Sequence, residues 1–215
     1  MYFMTQTRVD ICFAVGWLFR QLKKPTEFHL FAAKNLLRYL NSTKSYCINY
    51  RSEDILPIGF ADSDFAGCRT SAKSTWGYLF KVFEGPVSWK SKLCTHVTFS
   101  TFEAEYFGLT KATKKASWLK GLFSEIDKLI KTFILLCEDN LSANSKAHDF
   151  VFHNRTKHCL VKFCYVQEMI KLGLIAIKYL DTNRMFADGL TKALALQKFK
   201  RFLGLLGLNF ENQSF

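Results

Sequence analysis

From Glu105, alternating steps of four and three residues land on Leu109, Ala112, Ala116, Leu119, Phe123 and Ile126. All six are apolar, the stripe of a helix with one face against a core. That stripe predicts one long helix from Thr101 to about Ile126. Its surroundings constrain the fold further. Strand-like runs at 46–51, 55–62, 76–83 and 87–91 precede it, and runs at 132–138 and 174–180 follow. Gly85-Pro86 marks the turn between the third and fourth runs. A further strand is expected to end near Phe99. Helices are expected at about 140–149 and 157–171, from about 184 and from about 196. Strands that first meander and then alternate with helices predict an α/β fold. Its core is one mixed five-stranded sheet, an antiparallel meander plus parallel strands, with helices on its faces. The run at 132–138 should lie parallel to and beside 55–62.

Two more helices are predicted ahead of the sheet, at 7–23 and 26–41. Pro25 separates them and Thr26 is placed to cap the second. Two such helices cannot bury a core alone. Residues 1–45 therefore read as the helical end of a larger upstream domain, 46–195 as the sheet domain, and 196–215 as a C-terminal helix and tail.

Composition limits the function classes. Half the residues are hydrophobic and 22 are Phe, which excludes a disordered chain. The net charge of +12 suits a polyanionic partner. Seven cysteines, an odd number with no C-x-x-C pair, suit reduced and mostly buried thiols inside a cell. His158, Cys159 and Cys164 lack zinc-finger spacing. No apolar run reaches membrane-spanning length, and Ile11 to Phe19 reads as a core helix and not a signal peptide.

Four carboxylates stand at the ends of apolar elements: Asp62 after 58–61, Glu105 at the head of the long helix, Asp139 after 132–138, and Asp188 near the start of a late helix. Acids placed this way cost stability unless something positive neutralises them. Each also has an ordinary structural reading. Asp139 or Asn140 could cap a helix, Asp188 could serve a helix dipole, and Glu105 could tilt into solvent. Glu103 sits off the stripe, three residues after Ser100. That is capping-box spacing, with the carboxylate expected to reach back to the Ser100 amide.

Several stretches together resemble one family. They are Thr7 to Ile11, Ala32 to Leu40, Ala61-Asp62-Ser63-Asp64-Phe65-Ala66-Gly67, Lys73 to Tyr78, Val87 to Lys92, Glu103-Ala104-Glu105-Tyr106, Asp139-Asn140, Arg155-Thr156-Lys157-His158 and Ala187-Asp188-Gly189-Leu190-Thr191-Lys192. In this order the chain resembles the C-terminal part of copia-type retrotransposon Pol polyproteins: the RNase H domain, preceded by the end of reverse transcriptase.

The resemblance implies an RNase H-like fold and metal-dependent hydrolysis of the RNA strand of RNA–DNA hybrids. It implies two Mg²⁺ ions, or Mn²⁺, on Asp62, Glu105, Asp139 and Asp188, since an all-oxygen donor set favours these ions over zinc. His158 is the candidate for an accessory catalytic role. Lys73, Ser74, Asn140, Arg155 and Lys157 are the candidate nucleic-acid contacts. Lys111, Lys114, Lys115 and Lys120, on the long helix, offer further phosphate attraction. The implied partners are the hybrid and the rest of the polyprotein or reverse transcriptase, with no membrane. The implied location is intracellular, in a cytoplasmic virus-like particle or the nucleus. Phe65, Phe102, Cys94, Cys159-Leu160 and Cys164 depart from the family's usual residues, as do Val9 and Ala193, where it usually has Pro. These departures keep a second reading open: a catalytically silent remnant that only binds nucleic acid or protein.

Overall fold

The computed structural model describes residues 1–50, 56–126, 133–148 and 160–210. The chain opens with α1 (Tyr2–Gln6), a 3₁₀ turn (Val9–Ile11), α2 (Cys12–Arg20) and α3 (Glu27–Ser42). The expected single helix over 7–23 is thus broken near its start. Arg8 turns the chain there, with its guanidinium gripping Asp10 at 2.7 and 3.0 Å and the Thr43 hydroxyl at 2.7 Å. Tyr39 also donates to Asp10 at 2.6 Å. A buried charge fixed on several sides holds one chain path.

Strands β1 (Tyr46–Ile48), β2 (Ile58–Asp64), β3 (Thr75–Val82) and β4 (Gly85–Leu93) come next, followed by α4 (Thr101–Ile126). Then come β5 (Ile134–Glu138), α5 (Leu141–His148), α6 (Leu160–Lys171), β6 (Ile175–Tyr179), α7 (Asp188–Thr191), α8 (Leu196–Leu205) and β7 (Leu208–Phe210). The main sheet has five strands in the order β4-β3-β2-β5-β6. Strands β2 to β4 form the expected antiparallel meander, and β5 lies parallel to both β2 and β6. Strand β1 instead pairs antiparallel with β7, forming a two-stranded ribbon. No strand ends at Phe99, which is 86% exposed. The helix expected from about 184 is a 3₁₀ turn (Thr182–Arg184) followed by α7.

Period-two alternation splits the sheet between two cores. Ala61, Tyr78, Phe80, Ile134 and Leu136 face α4, α5 and α6. Phe60, Leu79 and Cys137 face the other way, packing with Met4, Val9, Ile11 and Cys12 from the N-terminal segment and with Leu190, Phe202 and Leu206. The first residues of the chain thus share a core with the sheet. Phe102 is accommodated, with its ring 5.8 Å from Tyr106 and 5.9 Å from Phe163. Of the six described cysteines, Cys12, Cys94 and Cys137 are buried, Cys47 and Cys68 are half-buried and Cys164 is exposed, so half, not most, are buried. No described helix is long and apolar enough to cross a membrane.

Two glycines let helices approach the sheet closely. A Cβ on Gly108 would lie 2.5 Å from Ser63 Oγ and 3.2 Å from the Asp62 carbonyl oxygen. A Cβ on Gly77 would lie 2.8 Å from Leu190 Cβ. The head of α4 therefore presses on the end of β2, and α7 presses on β3.

Candidate metal centre

The parallel register pairs Phe60 with Cys137. Two residues further along the chain from each stand Asp62, still within β2, and Asp139, one residue past the end of β5, so the pairing that builds the sheet also brings these acids to one end of it. Gly108 brings α4 against the same strand end, three residues after Glu105. The outcome is one cluster. Ligand oxygens of Asp62, Glu105 and Asp139 all lie within 4.8 Å of one another. Asp62 and Glu105 are buried and Asp139 is half-buried.

Asp188 is buried at the head of α7, where Lys192 Nζ lies 3.0 Å from its Oδ1 and 4.0 Å from Asp62 Oδ2. The hydroxyl of Thr191 donates to Asp62 Oδ2 as well. Three of the four predicted acids thus converge directly. The fourth joins through a lysine.

Burial is the main electrostatic fact of this cluster. It pushes Asp62 up to about 7; Lys192 pulls against this, and Asp188 and Asp139 add to it. It pushes Glu105 up to about 9, with Asp62 and Asp139 adding repulsion. Asp188 is raised by burial as well, against the pull of Lys192. Burial opposes the charge of Lys192, but Asp62 and Asp188 outweigh it and hold the ammonium on.

Three participants were missed in the sequence. Glu138, wholly buried at the end of β5, is driven well above the carboxylate range by burial and by Glu105, Asp62 and Asp139. Its signal was its place: a charged residue closing a buried strand. Thr191 and Lys192 were visible only as parts of a motif, although Lys192 stands four residues after Asp188, the spacing of a helical ion pair.

The remaining candidates fall in several places. The cap of α5 is Asn140, not Asp139: its Oδ1 accepts from the Ala143 amide at 2.9 Å. Ser74 is wholly buried, and its hydroxyl serves the Ala66 amide at 3.0 Å and Thr98 at 2.6 Å. Next to it, Lys73 Nζ donates to the Thr95 carbonyl at 2.7 Å. Arg155, Lys157, His158 and Cys159 lie outside the described residues. On α4 the ammonium groups of Lys111, Lys114 and Lys115 rest over the rings of Phe107, Tyr165 and Trp118. The apolar stripe holds through Leu119 and Phe123, but Ile126 is exposed.

Glu103 and Glu105 separate as the stripe requires. The Ser100 hydroxyl accepts from the Glu103 amide at 3.1 Å. The Glu103 carboxylate takes the Phe99 amide at 2.8 Å, one residue earlier than the expected Ser100 amide. Glu103→Ala should therefore cost about 1 kcal/mol of stability and leave metal binding unchanged. Glu105→Gln should weaken metal binding without loss of stability. Denaturation curves and metal titrations of both variants test this; matching effects of the two would refute it.

No family model matches the chain. It is 37% identical over 209 residues to the retrovirus-related Pol polyprotein from transposon TNT 1-94 of Nicotiana tabacum, covering 97% of this chain and 16% of the polyprotein. It is 31% identical over 210 residues to the corresponding polyprotein from transposon RE1 of Arabidopsis thaliana, covering 97% of this chain and 14% of that one. A shorter relative is the secreted RxLR effector protein 161 of Plasmopara viticola, 43% identical over 120 residues, or 55% of this chain and 84% of the effector. Among solved structures, LC11-RNase H1 isolated from compost superposes with a TM-score of 0.48 at 16% identity, over 69% of this chain and 99% of that one. The chain thus spans about one-sixth of the tobacco polyprotein's length.

Proposed function

On the premise that this chain is homologous to the retrovirus-related Pol polyproteins of plant copia-type transposons, we propose that it hydrolyses the RNA strand of RNA–DNA hybrids with the help of divalent cations. The observation that carries this reading is the convergence of Asp62, Glu105 and Asp139 at the ends of the central strands β2 and β5. The residues fit such an ion. The donors are all carboxylates, and Glu105 Oε2 is buried without a hydrogen-bond partner. The raised pKa values of Asp62 and Glu105 express a shortage of positive charge that a cation would relieve.

Asp62, Glu105 and Asp139 would hold the first Mg²⁺ or Mn²⁺, and Asp188 with Asp62 would offer a second position. When bound, such ions lower the pKa of an attacking water and balance charge on the leaving 3′-oxygen. The chain's own groups do the rest. Thr191 fixes one oxygen of Asp62, and the close contact at Gly108 holds Glu105 at its distance from the strand. Lys73, Asn140, Arg155 and Lys157 are proposed to meet phosphates, with Ser74 holding the loop that carries Lys73, and His158 to assist near the scissile bond. The proposed partners are the hybrid and the remainder of the polyprotein, including its reverse transcriptase.

The test is incubation with an end-labelled RNA–DNA hybrid, with Mg²⁺ and with EDTA, beside single-stranded and duplex RNA. Cleavage confined to the hybrid's RNA strand and dependent on the metal is the expected result. Binding without cleavage would replace it with the silent binding module.

A further inference from the structure

The centre holds a positive charge supplied by the chain itself. Lys192 Nζ bridges Asp188 Oδ1 at 3.0 Å and Asp62 Oδ2 at 4.0 Å. Those two acids are the pair that would flank a second ion. The ligand oxygens of Asp62, Glu105 and Asp139 lie within 4.8 Å of one another, and Asp188 is not part of that group. We propose that the Lys192 ammonium stands in for the second divalent ion, so that the free protein takes up one ion and admits another only when Lys192 leaves. This rests on the metal-centre reading above.

Three features support it. Lys192 follows the last residue of the four-residue helix α7, so its side chain folds back over that helix to the acid at its head. An ion between Asp62 and Asp188 would lie a few ångströms from this ammonium, and like charges that close repel strongly where water is sparse. Lys192 also has somewhere to go. Its side chain is 37% exposed, and it lines a cavity of about 770 Å³ whose wall includes Asp64, Arg20 and Trp17. Asp64 offers a replacement carboxylate on that wall. The displaced ammonium would remain close to the centre, available to a phosphate.

The decisive experiment counts bound Mn²⁺ ions by electron paramagnetic resonance in the full chain, with Lys192→Met and Lys192→Arg compared. One ion is expected in the wild type and in Lys192→Arg, and two in Lys192→Met, with folding checked by circular dichroism. Two ions in the wild type, or one in Lys192→Met, would overturn the proposal while leaving the metal centre standing. No ion in any of the three would sink the metal centre itself. The wild-type count decides alone if the Met variant does not fold.

Discussion

Asp62→Asn is expected to abolish hybrid cleavage and yet make the metal-free protein more stable. Asp62 is the hub of the site: it is grouped with Glu105 and Asp139, accepts from Thr191, and feels Lys192 and Asp188. Losing an outer-shell partner of a metal ligand costs roughly 10–100-fold in affinity or activity, and losing a ligand shared by two ion positions should cost more. The fold should persist, because Asn keeps the size and an oxygen that can accept from Thr191. It also removes a charge that burial penalises, so the melting temperature in EDTA should rise. Circular dichroism, thermal melts and the cleavage assay read the three effects separately. Cleavage within a few-fold of the wild type would show that Asp62 is structural.

The metal-free protein should lose stability as pH rises from about 4 to 9. Asp62 titrates near 7 and Glu105 near 9 in the folded chain, both above the ordinary carboxylate range. Below about pH 3 both groups are mostly protonated in either state, and their neutral forms suit burial. Above it the unfolded chain releases these protons while the folded chain keeps them, which favours unfolding. The loss attached to Asp62 runs out near pH 7, and that attached to Glu105 near pH 9. For Asp62 the loss falls between its unfolded value of about 4 and about 7. Mg²⁺ should flatten the slope, since an ion stabilises the charged forms. Urea denaturation from pH 4 to 9, in EDTA and in Mg²⁺, measures both slopes. A flat profile in EDTA would contradict the burial of these acids.

The sheet was legible where patterns were long. The stripe from Glu105 marked α4 to its last residue, and apolar runs of strand length marked β2, β5 and β6. Short or composite features were not legible. A three-residue strand such as β1 carries too few alternations to reveal its partner, and its partner β7 lies at the far end of the chain. The apolar residues before Phe99 mimic a strand but form the approach to α4. Within the site, strand ends exposed Asp62 and Asp139, and helical spacing exposed Glu105. Glu138 was overlooked because Asp139 next to it drew the reading. The tie from Asp188 to Asp62 was hidden because it passes through Lys192, whose position depends on the packing of α7 against β3 at Gly77.

The ribbon of β1 and β7 bears on how the chain comes into being. Beside it, Asn49 Nδ2 donates to the Gly207 carbonyl at 3.5 Å across 158 residues. During synthesis β1 leaves the ribosome long before its partner exists. The meander of β2 to β4 can form from neighbours alone, but β1 must wait, unpaired, until the distant β7 has emerged. The ribbon therefore closes only after the main sheet's strands have been made, and a nascent chain halted before β7 would display an open strand edge.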